Sequence, residues 1–252
     1  MKRATWFMAL LGIGTLFLGC KAEAPPPEQP KAEAPVAPKA ETSPPAQPSA
    51  PASAPTEAPR QGYDRALLRP AALKDQGPDI YHVKFVTTRG DFTVTVHRDW
   101  APIGADRFYN LVKHHFFDNA SFFRVVPNFV VQFGINANPP VSAAWANANI
   151  KDEPVIGSNK RGYLTYAKTS MPNTRSTQIF INLKDNPGLD AQGFSPFGVV
   201  DAPGMKVVDM FYDQYGDNAG PDQDQITKQG KPYLDKGWPK LDSIKSATLV
   251  GQ

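Results

Sequence analysis

From Phe92 to His97 apolar and polar residues alternate strictly, with Phe92, Val94 and Val96 on one parity and Thr93, Thr95 and His97 on the other. A period of two predicts a strand with one buried face. The preceding "YHVKFVT" follows a similar alternation, and "TTRGD" between them carries the glycine that a hairpin connection wants. The period then lengthens. In "APIGADRFYNLVKHHFF", Phe108, Leu111, Val112 and His115 fall at i, i+3, i+4 and i+7, which predicts a helix with one core-facing stripe and Pro102 near its start. Five short strands follow, "SFFRVV", "NFVVQFG", "GYLTYAK", "TQIFINL" and "FGVV", parted by turn-rich segments. "GMKVVDMFYDQYG" reads as a second amphipathic helix, with Val207, Met210 and Phe211 on one side, and a last strand lies within "SIKSATLV". Many short strands with two helices favour a closed or nearly closed antiparallel barrel whose open ends the helices cover.

The N-terminal pattern is of another kind. "MKR" precedes the uncharged run "ATWFMALLGIGTLFLG", which is shorter than the roughly 20 residues of a membrane span and fits a secretory signal peptide over residues 1–19. Cys20, directly after Gly19, resembles a bacterial lipoprotein cleavage site, where the thiol is lipidated and becomes the mature N-terminus. Phe17 and Leu18 depart from that motif, which prefers leucine and a small residue at those places; the alternatives are an ordinary signal peptide or an uncleaved anchor. Residues 20–62 are almost wholly Pro, Ala, Glu, Lys and Ser, a composition that cannot bury enough apolar surface to offset ordering. A disordered tether is expected there, holding a globular domain, residues 63–252, away from a membrane. The expected location is therefore the cell envelope, exported and lipid-anchored, facing the periplasm or the surface. With one cysteine in the chain no internal disulfide can form, and a net charge of +3 with dispersed basic residues argues against nucleic acid as a partner.

Two predicted strands carry polar groups in apolar company. Arg124 and Gln132 sit in "SFFRVVPNFVVQFG", where burying them is costly unless something needs them. By parity Val130 and Gln132 share a face, as do Gln178 and Phe180, while Phe129 stands at a strand start just after Pro127. The result is a surface of guanidinium, amides and rings, without a nucleophile–base pair or a close pair of carboxylates. His82, His97, His114 and His115 show no ligand spacing, so neither a metal nor another cofactor is expected. "YGDNAGPDQDQ" gathers Asp217, Asp222 and Asp224 without the pattern of a calcium loop and reads as a solvated turn-rich segment.

Three blocks resemble one family. "FFRVVPNFVVQFG" is similar to the cyclophilin signature F-H-R-[IV]-[IV]-P-x-F-x-x-Q-x-G, "RGYLTYAKTSMPNTRSTQIFINL" to its G-x-[IL]-[SA]-M-A-N…P-N-T-x-x-S-Q-F-F-I block, and "LDAQGFSPFGVV" to its L-D…F-G-x-V block. The resemblance runs in order from about Tyr81 to about Gly216. It implies a cyclophilin-like fold, mainly β: a closed antiparallel barrel of about eight strands capped by two α-helices. It also implies a monomeric peptidyl-prolyl cis-trans isomerase acting on proline-containing unfolded or partly folded polypeptides. The alternative is a peptide-binding or chaperone module on the same fold with little turnover. Matched position by position, Arg124 is the catalytic arginine and Gln132 the amide that steadies the adjacent carbonyl. Phe129, Val130, Phe180 and Leu189 line the proline pocket, and Ala167 and Gln178 hold the substrate backbone, with Phe194 beside them. Phe123 stands where many relatives have histidine, Lys168 where asparagine is usual and Phe194 where another histidine often occurs. Gly188 replaces a tryptophan important for cyclosporin in some members, a departure that counts against cyclosporin binding.

Overall fold

The computed structural model describes residues 62–217 and 220–251. The proposed leader, Cys20 and all but the last residue of the tether lie outside them. All eight expected strands are present: β1 (Ile80–Thr87), β2 (Asp91–His97), β3 (Arg124–Val126), β4 (Val130–Phe133), β5 (Tyr163–Tyr166), β6 (Ile179–Asn182), β7 (Pro196–Val200) and β8 (Ile244–Val250). They form one antiparallel sheet in the order β3-β4-β6-β5-β7-β2-β1-β8.

Closure is weaker than the sequence predicts. The edge strands β3 and β8 share no ladder among the described residues, so the sheet is a curled half-barrel rather than a sealed cylinder. One bridge, Ser121 to Ser243, spans the seam, flanked by Phe122 N–H donating to Asp242 O (2.9 Å) and Ile244 N–H donating to Ala120 O (2.8 Å). The reason is local: β3 has three residues and runs into the Pro127–Asn128 turn, leaving too little edge for a second ladder.

The helices also differ from expectation. There are five among the described residues: α1 (Pro102–Lys113), α2 (Pro139–Trp145), α3 (Ala202–Val208), α4 (Gln223–Gln229) and α5 (Lys231–Gly237). In α1 the stripe of Phe108, Leu111 and Val112 is buried, but the chain turns at His115 (φ 57°), which faces outward while Phe116 and Phe117 enter the core. Pro102 opens α1, which lacks a side-chain cap of its own. The buried carboxylate of Glu153 supplies one from a distant loop, accepting from the N–H groups of Ile103 (2.5 Å) and Gly104 (3.0 Å) and pairing with Arg175 (2.9 Å). A negative group there satisfies orphan donors and complements the helix dipole. The second expected helix ends at Val208, so Met210 is exposed while Phe211 packs in the core against Phe122 (ring centroids 4.1 Å).

The main core lies inside the curl, where rings of Phe85, Phe108, Phe117, Phe133 and Phe197 meet. A second, small cluster joins Phe123 and Ile135 to Ile226 of α4 and Leu234 of α5. Phe123 therefore serves as the floor on which α4 and α5 rest, which accounts for an apolar ring at this position. Gly230 connects α4 to α5 with φ +66°, and a Cβ on it would lie 2.3 Å from Ala137 O. Glycine alone fits so close an approach in that conformation.

Candidate active site

Strands β3, β4, β6 and β5 place one row of side chains across the outside of the curl. The register pairs Arg124 with Gln132, Gln132 with Phe180, and Phe180 with Thr165. On the opposite face of the same strands Val125, Val131, Phe133, Ile179, Ile181 and Leu164 belong to the main core. Val130, Gln132 and Phe180 are just as inaccessible, yet none of them belongs to either apolar cluster. They lie on the outer face of the sheet, apart from the main core, and Gln132 among them also borders a cavity.

A chain of polar contacts runs along that row. Arg124 Nη1 donates to Gln132 Oε1 (3.1 Å), and Gln132 Nε2 donates to Gln178 Oε1 (2.7 Å). Gln178 immediately precedes β6, and its carbonyl accepts from Ala167 N–H (2.9 Å) just after β5. The close approach of β4 to this segment depends on Gly134. With φ +105°, it lies so near residue 177 that a Cβ would sit 2.3 Å from Thr177 O. The Arg124 side chain is one-quarter exposed, and its guanidinium lies over the Phe129 ring, 5.8 Å from the centroid. Such a cation–ring contact fixes a positive charge beside an apolar surface.

The apolar wall is held from behind. Phe180 packs edge-on against Phe194 (5.7 Å). Leu189 lies within a 3-10 turn, Pro187–Gln192, and Phe194 follows it, its N–H donating back to Leu189 O. Asp190 ties the turn down by accepting from Ser158 Oγ and from both the backbone and side chain of Asn159, while Asn159 Nδ2 also donates to Phe194 O. Lys168 Nζ lies 5.6 Å from the Phe194 ring centroid and 3.7 Å from the Asp152 carboxylate. The two departures at 168 and 194 thus meet each other: a lysine rests against an apolar ring rather than a histidine that could itself carry charge. Gly188 lies on the same turn, with open space where a side chain would begin.

Gln132, Ala167, Ser176 and Gln178 line a cavity of about 240 Å³, to which α4 contributes Gln223. Thr169, Thr174, Ser176 and Gln178 continue into a cavity of about 400 Å³ whose lining includes Asp224 and Thr227 of α4. The segment read as a solvated turn is therefore part of the surroundings of this surface. Asp222 caps α4 by accepting from Gln225 N–H (2.9 Å), and Asp217 Oδ1 accepts from Arg124 Nε at 2.5 Å. The Arg124 guanidinium holds the Asp217 carboxyl below the usual carboxylate range. Asp217 and Gln223 are the residues that pattern reading missed; 93 positions separate Asp217 from its arginine, and no local periodicity marks the pair. The histidines make separate contacts, His114 with Asp64 and His82 with Thr95, and among the described residues no group of His, Cys, Asp or Glu is placed to hold a metal.

The family model for cyclophilin type peptidyl-prolyl cis-trans isomerase/CLD matches residues 82–231. The chain belongs to this family. A peptidyl-prolyl cis-trans isomerase of Acinetobacter baylyi is 39% identical over 132 residues, spanning 50% of this chain and 69% of that protein. Peptidyl-prolyl cis-trans isomerase A of Dickeya dadantii is 32% identical over 152 residues, 58% of this chain and 79% of its own. Isomerase B of Escherichia coli is 35% identical over 136 residues, with shares of 50% and 81%. The crystal structure of a Cryptosporidium parvum cyclophilin type isomerase matches the fold with a TM-score of 0.50 at 19% identity, covering 69% of this chain and 99% of that one. The cyclophilin-type chain described above is accordingly a peptidyl-prolyl cis-trans isomerase. The polar row and α4 lie within the matched residues, and α5 begins at the last of them.

Proposed function

We propose that this isomerase acts on X–Pro bonds of exported polypeptides, with Arg124 stabilising the twisted amide and Gln132 steadying the neighbouring carbonyl. An X–Pro bond isomerises in tens to hundreds of seconds unaided, slowly enough to limit folding. Its barrier, about 18–20 kcal/mol for a peptide bond, comes from delocalisation of the nitrogen lone pair into the carbonyl. Twisting removes that conjugation and leaves a localised lone pair. A guanidinium aimed at the nitrogen gains a stronger hydrogen bond in the twisted state than in either planar one, which is selective binding of the transition state. Arginine suits the task because its charge is permanent and no proton has to move.

The observation that carries this reading is the cross-strand row of Arg124, Gln132 and Phe180, which sets a charged donor beside a buried ring outside the core. In this account Phe129, Val130, Phe180 and Leu189 receive the proline ring, with Phe194 backing Phe180. Gln178 and the backbone of Ala167 hold the peptide next to it. In a protease-coupled assay on a short X–Pro peptide, Arg124→Ala is expected to lower kcat/KM about 10²–10³-fold, the range for losing one such donor, with the circular dichroism spectrum unchanged. Wild-type turnover in the variant contradicts the assignment.

The same proposal extends to location. Residues 1–19 act as a leader, a lipid on Cys20 anchors the chain, residues 20–62 form the tether and residues 63–252 the monomeric isomerase domain. The support is compositional: a short apolar run ending at a single cysteine, then a proline-rich tract without aromatic residues. Among the described residues no helix is long and apolar enough to cross a membrane. Cys20→Ser is expected to shift the protein from the membrane fraction to the soluble one. A variant that still sediments with membrane shows that the lipid is not what holds it.

A further inference from the structure

We propose that Asp217 is a positioning residue for the isomerase reaction, fixing the plane of the Arg124 guanidinium. The inference rests on the reading of Arg124 as the group that meets the prolyl nitrogen. Two nitrogens of that guanidinium are engaged from opposite elements: Nη1 by Gln132 Oε1 on β4 at 3.1 Å, and Nε by Asp217 Oδ1 at 2.5 Å. One contact leaves a long side chain free to swing about it, whereas two on different nitrogens define a plane. Nη2 makes no hydrogen bond among the described residues and is left for an incoming peptide.

Asp217 precedes α4 in the chain, and α4 and α5 pack beside Arg124. Phe123, the residue before Arg124, is buried against Ile226 and Leu234, and Lys231 N–H donates to Ala137 O (3.0 Å). Helices α4 and α5 are thus fastened at both ends of the β3–β4 hairpin, and Asp217 meets the guanidinium at the same end as Phe123. The effect of the carboxylate has two opposing parts. It aligns the donor, and it weakens the positive field that the donor presents. Alignment dominates, because hydrogen bonds weaken steeply with angle while a half-exposed charge is screened by water.

The test measures kcat and KM separately for four full-length variants. Asp217→Ala is expected to lower kcat about 5–10-fold at unchanged KM, a partial misalignment compared with the roughly 10²-fold that a full 1 Å displacement can cost. Asp217→Asn keeps a neutral acceptor for Nε and is expected to regain most of the kcat lost in Asp217→Ala, since a neutral hydrogen bond is weaker than a charge-assisted one but still sets the plane. Adding Asp217→Ala to Arg124→Ala is expected to change nothing further. An Asp217→Ala enzyme with wild-type or higher kcat overturns the inference and leaves the role of Arg124 standing. So does a fall of the same size in the Arg124→Ala background, since the aspartate then acts through something else. Full activity in Arg124→Ala alone overturns the reading of the site and this inference with it.

Discussion

The two faces of β4 and β6 are buried alike and built differently. Inward, Val131, Phe133, Ile179 and Ile181 are wholly apolar and fully enclosed by the main core. Outward, Val130, Gln132, Phe180 and Asn182 are also buried, yet amides alternate with apolar groups and none of the four joins a core cluster. The inner face obeys close packing, where shape and volume decide stability. On the outer face Gln132 is bonded to Arg124 and Gln178, while Asn182 Nδ2 donates to Tyr163 O and Asn182 Oδ1 accepts from Asn186 Nδ2. Accessibility therefore does not separate core from site in these strands; chemical composition does.

Removing one ring from each face separates the two most strongly. Phe133→Ala, which empties a place against Phe85, Phe117 and Phe122, is expected to cost about 3–5 kcal/mol by denaturant titration, the range for a buried ring. Phe180→Ala is expected to cost less than half as much, because the ring lies outside the main core and meets one partner ring, and to raise KM for an X–Pro peptide instead. Equal stability losses with unchanged KM would make the outer face ordinary core.

A smaller effect tests what brings the polar row together. Gly134→Ala places a methyl group in contact with Thr177 O at a positive φ, with an expected cost of about 1–3 kcal/mol, as for strained backbone. Because the methyl group pushes residues 177 and 178 from β4, the Gln132–Gln178 bond lengthens and turnover falls more than in a variant destabilised equally from the inner face. A loss of stability with no extra loss of turnover would show that the amide chain does not need this contact.

Much of this organisation is legible in the chain itself. Strict alternation locates β1 and β2, and the short apolar runs locate the remaining strands, because local sterics and one-sided burial fix both. Arg124 and Gln132 stand out as polar residues in strand-like surroundings, and their matched spacing points to the family and its chemistry. Long-range contacts are less visible. The short β3 leaves the barrel open at one seam, a matter of how residues 120–122 meet residues 242–244. The helices α4 and α5 bury Ile226 and Leu234, a stripe too sparse to recognise between prolines and glycines. Asp217 looks like one more carboxylate in a polar turn until the fold sets it against Arg124. Phe123 and Lys168 look like losses from the family pattern, and each is explained by a neighbour distant in sequence.

The mechanism turns on Arg124 favouring the twisted amide over the planar ones. NMR exchange spectroscopy on an X–Pro peptide saturating the enzyme measures that preference apart from affinity. The expected result is that Arg124→Ala binds the peptide within a few-fold of wild type while exchange of the bound peptide slows by about 10²–10³, the cost of losing one charge-stabilising donor. Bound exchange at the wild-type rate, with affinity alone reduced, would contradict it.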